Sequence, residues 1–400
     1  MFGEKHRKLR RGVGYSRSAK QKKQAFFCIC ARLCVSLEKI LALGKAKKAS
    51  FLLHLCSLMR IFAANRNIME NQYIKQFPHL MEGKKIMYVH GFASSARSGT
   101  VGRLREMLPN ANVVAFDLPV DPHEAIALLH RKHQEEQPDL IVGTSMGGMY
   151  AEQLRGTDRI LVNPAFQIAD TMGAHGMIGK QTFLNPREDG VQEFIVTKAM
   201  VKEYRAVQEQ CFRPEPDKDE EKRVWGLFGD EDPLVHTQPL FMQHYRQGIW
   251  FHGEHRMNDR VFIEAVIPVI RWIDDRQNGT ERPIVYIHID ALRDQRGQQR
   301  SSAMKAFRLL LESYNIFIVA PSPDYDSTYV KEVQDWVKDV VAVPAFGHLV
   351  FTNRTSLLYG DYLIDLDEKS DFMSTHLQFG SDTFKTWEDI IEYFSRLGGQ

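Results

Sequence analysis

Residues 143–147 read Gly143-Thr144-Ser145-Met146-Gly147, and this stretch decides the fold. An apolar run over residues 138–142 precedes it, and a helix-forming run over residues 148–154 follows it. A strand, a Gly-x-Ser-x-Gly turn and a helix in this order predict a nucleophile elbow, in which the serine hydroxyl is exposed on a sharp, strained turn. Ser145 is therefore the candidate nucleophile. The alternative is a structural glycine-rich turn.

The charge of the 400-residue chain is unevenly distributed. The length predicts two domains and an extension, because a single core of that size is uncommon. Residues 1–80 hold 17 Lys/Arg and 3 Asp/Glu, a net charge of +14, whereas the other 320 residues hold 35 basic and 47 acidic residues, a net charge of −12. Four of the five cysteines also lie in residues 1–80, so the rest of the chain fits a reducing cytoplasm without disulfides.

Residues 1–81 are interpreted as a basic, disordered extension or an over-extended start that Met69 or Met81 would replace. Charged residues interrupt the apolar stretches 25–43 and 49–64, and neither offers the ~20 uninterrupted apolar residues of a membrane span. The basic clusters leave nucleic-acid or anionic-membrane binding as an alternative. We assign no function to this segment and predict no nucleic-acid partner and no membrane span.

Strand and helix patterns alternate after residue 82. Apolar runs at 86–89, 112–116, 140–142, 159–162, 224–228 and 248–251 are predicted strands, with helical patterns between the earlier ones. This alternation predicts the α/β class, a parallel sheet with helices on both faces and a site at the carboxyl ends of its strands. The pattern loosens over residues 167–222, which we interpret as a helical cap over the pocket.

The turns after the last two predicted strands supply candidates for the other members of a catalytic triad. Asp232 is the preferred carboxylate, with Asp230 as the alternative and an acidic helix-capping turn as the structural reading. His255 is the preferred base, because it lies in a loop just before a helix, whereas His252 is expected to hydrogen-bond structurally. The chain order Ser, Asp, His is the order expected of an α/β-hydrolase.

A His-Gly pair follows the first predicted strand directly. The backbone N–H of Phe92, after His90 and Gly91, and the N–H of Met146, after Ser145, are the predicted donors of an oxyanion hole. Preorganised backbone donors need no particular side chain, so we predict an architectural role for His90.

Residues 87–95, 143–152, 159–165 and 253–256 together resemble the YqiA/YcfP family of small bacterial esterases. The resemblance covers residues 82–275. It implies a compact α/β-hydrolase that cleaves carboxylic esters or thioesters through Ser145, Asp232 and His255. The implied partner is a small acyl-ester or thioester substrate, and no metal or cofactor is required. The oligomeric state is left unassigned.

Residues 276–283 are polar, contain Asn-Gly and Pro, and are predicted to form a linker. After the linker, predicted strands at 284–289, 316–319 and 340–343 alternate with predicted helices at 301–314 and 327–338. Residues 351–365, 377–381 and 387–391 resemble the deoxyribonucleotidase branch of the haloacid-dehalogenase (HAD) superfamily. The resemblance implies a second, Rossmann-like α/β domain over residues 284–400.

This second domain departs from the HAD pattern where the chemistry occurs. His288 occupies the position of the nucleophilic aspartate, although Asp290 retains the acid/base position two residues later. Ser322 and Arg354 match the phosphate-neutralising positions, and Asp365 is followed by Leu366 at the metal-binding acidic pair. A histidine does not replace the carboxylate that Mg²⁺ needs, so we predict a domain without phosphatase turnover. Retained phosphate or nucleotide binding and a structural or dimerising role are the alternatives for this domain.

The sequence therefore predicts a cytoplasmic serine esterase or thioesterase fused to a degenerate HAD-like domain. One alternative is a Mg²⁺-dependent phosphatase with an accessory hydrolase-like half. The other is a non-enzymatic binding scaffold made of two inert domains.

Overall fold

The computed structural model describes residues 75–323 and 325–397. The predictions for residues 1–74 fall outside this part of the chain. Within it, the strands form a six-stranded sheet, a five-stranded sheet and a two-stranded hairpin. We call residues 75–279 the first region and residues 284–397 the second region.

The first region contains the six-stranded sheet and the hairpin. Its strands are β1 (Lys85–Val89), β2 (Asn112–Ala115), β3 (Leu140–Thr144), β4 (Asp158–Val162), β5 (Gly179–Thr182), β6 (Glu193–Val196), β7 (Val224–Gly229) and β8 (Gly248–Phe251). Strands β5 and β6 pair as an antiparallel hairpin, and the other six form a parallel sheet in the order β2-β1-β3-β4-β7-β8. Strands β4 and β7 are buried along their whole length, which is typical of parallel sheets covered on both faces. The predicted α/β class is confirmed.

Helices cover both faces of this sheet. They are α1 (Gly99–Met107), α2 (Pro122–Glu136), α3 (Met146–Glu152), α4 (Ile168–Ala174), α5 (Lys198–Gln208), α6 (Lys218–Arg223), α7 (Gln238–Phe241), α8 (Asp259–Val261) and α9 (Ile267–Asn278). A π-helical turn, Phe262–Val266, joins α8 to α9. Pro268, which has no backbone N–H to donate, is the second residue of α9, and α9 directly follows this π-helical turn.

The predicted helical cap is only partly helical. Residues 167–222 contain α4, α5 and α6, but the β5–β6 hairpin lies between the first two of these helices. In β6, Phe194 and Val196 are covered while Glu193 and Ile195 are exposed, the alternation of a strand with one packed face. Phe194 packs edge-on against Phe92, with ring centroids 5.5 Å apart. This contact with Phe92, distant in the sequence, favours a strand over the predicted helix at residues 193–196.

The second region has one sheet covered by helices on one face. Its strands are β9 (Ile284–His288), β10 (Asn315–Ala320), β11 (Leu349–Phe351), β12 (Tyr362–Asp365) and β13 (Thr375–Gln378), and its helices are α10 (Ile289–Leu292), α11 (Ala303–Leu310), α12 (Ser327–Val340) and α13 (Trp387–Leu397). All pairs are parallel, in the order β11-β10-β9-β12-β13. Helices α11, α12 and α13 pack on one face. On the other face, Leu358 and Phe372 from loops cover Tyr286 and Leu363.

The strand predicted at residues 340–343 is wrong. Helix α12 continues to Val340, and a 3₁₀ turn, Val343–Ala345, follows. Strand β11 starts only at Leu349. Val343 is fully buried in a cluster that contains Phe262 and Trp225 of the first region. Val343 is therefore apolar because it lies at a contact between the two regions. A short apolar run at such a contact looks the same in the sequence as a buried strand.

Aromatic and ionic contacts extend this contact between the regions. Phe346 lies edge-on to Trp225 at 6.1 Å, and the His348 ring stacks on Trp272 at 5.4 Å. At the periphery, Arg308 pairs with Glu264 across 2.7 Å. The second region is thus packed against the first through a mainly apolar surface.

Ordered packing extends slightly beyond the predicted domain limits. Leu80 and Met81, which precede the predicted limit at residue 82, are buried in the first region. Helix α9 continues to Asn278, past the limit at residue 275, and Gly279 ends it with a φ of 62°. The division into domains at 82–275 and 284–400 stays a prediction.

Candidate active site

Ser145 occupies the turn between β3 and α3. Its φ of 55° and ψ of −122° lie in a region that non-glycine residues rarely adopt, at a cost of roughly 1–3 kcal/mol. Two backbone hydrogen bonds hold the residue there: its N–H donates to the Val162 carbonyl at 2.9 Å, and its carbonyl accepts from the Ala165 N–H at 2.9 Å. Strand β4 and the turn after it therefore hold Ser145 in this strained conformation.

The glycines of the elbow are required by close approach. A Cβ on Gly147 would lie 2.1 Å from the Val89 carbonyl oxygen, and one on Gly143 would lie 2.5 Å from the Gly147 oxygen. Real Cβ atoms essentially never approach so closely. Only glycine lets α3 start this near β1 and β3.

The structure brings Ser145, His255 and Asp232 together. His255 Nε2 lies 3.0 Å from Ser145 Oγ, and His255 Nδ1 lies 2.8 Å from Asp232 Oδ2. The carboxylate is an acceptor, so Nδ1 carries the proton and Nε2 is free to accept from the serine hydroxyl. A neutral imidazole satisfies both contacts. This tautomer is the one that a general base next to a serine needs.

The Asp232 carboxylate is fully buried, whereas the His255 side chain is 19% exposed. Burial by itself raises the pKa of Asp232. The hydrogen bond from His255 and those from the Leu234 and Val235 N–H groups outweigh it, so the pKa lies below its usual value. Asp232 is thus held as an anion beside the imidazole.

The alternative candidates pair with each other. His252 Nδ1 donates to Asp230 Oδ2 at 2.6 Å, and His252 Nε2 donates to the backbone carbonyl of Asp339, in α12, at 2.9 Å. Both ring nitrogens of His252 therefore point at acceptors, and neither is free to take a proton from a hydroxyl. Of the two candidate bases, His255 therefore faces Ser145, and His252 faces Asp230 and Asp339.

The predicted oxyanion donors belong to two segments near Ser145. A Cβ on Gly91 would lie 3.3 Å from Ser145 Cβ, which places the loop of residues 90–96, the His90 loop, beside the nucleophile. Met146 is the first residue of α3, so its N–H has no intrahelical acceptor. Within residues 75–323 and 325–397, neither the Phe92 N–H nor the Met146 N–H donates to another protein group.

His90 contributes to the loop through both ring nitrogens. Nδ1 donates to the Gly91 carbonyl at 2.9 Å, and Nε2 accepts from the Leu118 N–H at 3.2 Å. Burial lowers its pKa, which keeps the ring neutral as these two bonds require. These contacts are those of an architectural residue.

Asn163 is a positioning residue that the sequence analysis missed. Its side-chain amide donates to the carbonyls of Glu254 and His255, at 3.1 and 3.2 Å, and its Oδ1 accepts from the Gly229 N–H at 2.7 Å. Asn163 therefore joins the loop that carries His255 to the end of β7. A polar residue directly after the buried strand β4 was the signal available in the sequence.

The remnant phosphate residues of the second region lie at one edge of its sheet. Asp290, Ser322, Arg354 and Asp365 stand at or just beyond the carboxyl ends of β9, β10, β11 and β12. Their hydrogen bonds, however, are made with other neighbours. Asp365 Oδ1 accepts from His376 Nε2 at 2.6 Å, and the Ser322 N–H donates to Asn353 Oδ1 at 2.9 Å.

These residues do not fit the Mg²⁺ ion of HAD phosphatases. His288 replaces the first carboxylate, and the carboxylate of Asp365 is hydrogen-bonded to the His376 side chain. Among residues 75–323 and 325–397, no three His, Cys, Asp or Glu side chains converge in a way that could hold a metal.

Comparison with known proteins gives a separate result for each region. Residues 85–268 match the Uncharacterised protein family (UPF0227), which confirms the resemblance to YqiA-type esterases over this range. In the other region, 129 residues are 25% identical to a 5'(3')-deoxyribonucleotidase-type protein of Vibrio phage KVP40, covering 31% of this chain and 71% of that protein. The predicted deoxyribonucleotidase resemblance is confirmed as well.

The first region is also similar to solved α/β-hydrolases. One is a soluble variant of monoglyceride lipase from Saccharomyces cerevisiae, with 13% identity over 50% of this chain and 89% of that chain, at a TM-score of 0.36. Another is Est1E from Butyrivibrio proteoclasticus, with 14% identity over 51% of this chain and 92% of that chain, at a TM-score of 0.32. These scores are low, and the fold assignment depends on the sheet order and the elbow.

No helix in the described ranges is both long and apolar enough to span a bilayer. Strand order, elbow and family match agree for the first region. Residues 85–268 of this chain therefore match the UPF0227 family model, and they lie in an α/β fold of hydrolase type.

Proposed function

We propose that the protein is a cytoplasmic serine hydrolase that cleaves a small carboxylic ester or thioester through Ser145, His255 and Asp232. The observation that carries the proposal is the position of the His255 ring, 3.0 Å from Ser145 Oγ and 2.8 Å from Asp232 Oδ2. The esterase-like family of residues 85–268 supports the same reaction class.

The proposed mechanism follows from this geometry. His255 Nε2 takes the Ser145 hydroxyl proton as Oγ attacks the acyl carbon, and the resulting imidazolium protonates the leaving alcohol or thiol. Asp232 orients the ring and stabilises its charge. The Phe92 and Met146 N–H groups stabilise the oxyanion. Water, activated by the same histidine, then releases the acid. The three triad side chains, two backbone N–H groups and water supply every group needed, so the proposal assigns no cofactor.

A Ser145→Ala variant tests this proposal. We expect turnover of p-nitrophenyl acetate or butyrate to fall on the order of 10⁴-fold, because triad members act as a unit. Labelling by a fluorophosphonate probe, with the modified peptide identified by mass spectrometry, should also disappear. Ser301→Ala changes an exposed serine in the second region and is the matched control, with full activity and labelling. Wild-type protein that neither cleaves these esters nor labels at Ser145 would contradict the proposal and favour a binding scaffold.

The similarity of the other region to the phage protein favours one alternative, a Mg²⁺-dependent phosphatase. Phosphate release that survives Ser145→Ala but is lost in Asp290→Asn would support it. The replacement of the first carboxylate by His288 and the pairing of Asp365 with His376 argue against it. We therefore propose that the second region has no phosphatase turnover.

A further inference from the structure

We infer that the second region positions the loop that carries His255, and that His252 is the residue through which it does so. The loop is residues 252–257, between β8 and α8, and we call it the His255 loop. The inference rests on the proposed esterase function and assigns a role to the part of the chain that the triad does not use.

On one side, the His255 loop is held by the first region. The Gly253 N–H donates to Asp230 Oδ1 at 3.1 Å, and the Gly253 carbonyl accepts from the Glu231 N–H at 3.0 Å. Space is limited here as well, since a Cβ on Gly229 would lie 2.5 Å from the Gly253 oxygen. Together with the hydrogen bonds of Asn163, these bonds fix the position of the His255 loop relative to the end of β7.

On the other side, His252 joins the loop to the second region. Its ring lies between the Asp230 carboxylate, at 2.6 Å, and the Asp339 carbonyl, at 2.9 Å. Asp339 is in the last turn of α12, where backbone carbonyls lack intrahelical donors. The end of α12 also carries partial negative charge. The His252 ring therefore bridges a side chain of the first region and a backbone carbonyl of the second.

The end of α12 is itself immobilised against the first region. Val343, four residues after Asp339, is fully buried there, and Phe346 packs against Trp225. Moving Asp339 away from His252 would therefore expose apolar surface to water, which is unfavourable. Because His252 is held against α12, the backbone at Gly253, and at His255 two residues later, is held in place as well.

The test compares His252→Ala with Arg308→Ala. The first removes both contacts of the His252 ring. The second removes the ion pair between Arg308 and Glu264, which also joins the two regions but does not touch the His255 loop. With p-nitrophenyl butyrate, we expect kcat of H252A to fall between about 10- and 100-fold, the size expected of a misplaced catalytic group. KM should stay within about twofold of wild type, because a role limited to positioning His255 affects the transition state and not substrate binding.

Hydrogen exchange supplies a readout that does not need activity. The backbone amides of residues 252–257 should exchange faster in H252A than in wild type, and at the wild-type rate in R308A. If H252A does not fold, Asp230→Asn serves instead, since it removes the charge that faces His252 but leaves an oxygen for the Gly253 N–H. We expect a smaller loss of kcat and faster exchange of the same loop.

Wild-type kcat and exchange in the folded His252 or Asp230 variant would overturn the inference. An equal fall of kcat in R308A would also overturn it, because the contact between the regions would then act on the fold in general. Failure of the esterase proposal looks different: wild-type protein would not label at Ser145, while the exchange comparison would still report on the loop.

Discussion

At the scale of single residues, the candidate site is limited by backbone space. Ser145 has a positive φ, and the helix that follows it starts within contact distance of β1. Gly147 is the residue with the least room, since its added Cβ would lie 2.1 Å from the Val89 oxygen and 2.6 Å from the His90 oxygen. Both oxygens belong to backbone and cannot rotate away.

We therefore expect Gly147→Ala to lower the free energy of unfolding by roughly 1–3 kcal/mol, the usual cost of forced overpacking, and to abolish labelling of Ser145. Gly102→Ala is the matched control. It lies in α1 with no atom within 4 Å of an added Cβ, and should raise stability by roughly 0.5–1 kcal/mol. Urea unfolding and probe labelling measure both effects. Equal stability of the two variants would contradict this account of the elbow.

At the scale of elements, the segment after β5 fixes the His90 loop. The Leu184 N–H donates to the Ala93 carbonyl at 2.7 Å, and Ser95 Oγ donates to the Pro186 carbonyl at 2.8 Å. Asp117, just after β2, accepts from the Ala96 N–H at 2.8 Å and from the Glu188 N–H at 2.7 Å. One carboxylate thus joins the His90 loop to the segment that leads from β5 to β6.

Asp117→Ala removes both of these hydrogen bonds. Each hydrogen bond to a charged group contributes about 1.5–3 kcal/mol, so we expect the His90 loop to loosen and kcat for p-nitrophenyl butyrate to fall roughly 10-fold. Asp382→Ala, at an exposed turn of the second region, should leave kcat unchanged. Steady-state kinetics distinguishes the two. An unchanged kcat in D117A would show that the His90 loop holds its position without this carboxylate.

At the scale of the whole molecule, buried histidines make stability depend on pH. Burial lowers the pKa of His90 in the first region and of His348 in the second region, where it contacts the first. On acidification, the unfolded chain binds these protons first, below about pH 6.5. The folded state is therefore penalised as pH falls through that value. Protonation of Asp232 affects the free energy of unfolding only at lower pH, because its pKa is depressed from an already acidic value.

We expect the free energy of unfolding, measured with urea, to be lower at pH 5.5 than at pH 7.5. The fall can reach about 1.4 kcal/mol per pH unit for each fully buried histidine. His90→Gln should reduce this difference, whereas His79→Gln, at an exposed histidine, should keep it. Equal stability of the wild type at the two pH values would show that the histidines are protonated without penalty.

Local patterns were sufficient for the first region's class and for its elbow. Alternating buried strands and helices indicate a parallel sheet. The spacing of Gly143, Ser145 and Gly147 predicts a nucleophile elbow because a strand precedes it and a helix follows it. In the second region, the resemblance to the HAD superfamily predicted which positions depart from that family's residues. It did not reveal that His376 pairs with Asp365, because the two side chains come from neighbouring strands.

The sequence by itself thus determined the α/β class, the elbow and the short set of acids and bases near it, since these depend on residues close together in the chain. Only the tertiary structure decided which histidine faces Ser145 and that Asn163 holds the loop. It also decided that Val343 and Phe346 pack against the first region and that residues 340–343 form no strand. Each of these depends on groups from distant segments that meet only when the sheets are packed, and their hydrogen bonds and buried surface leave no periodic pattern in the sequence.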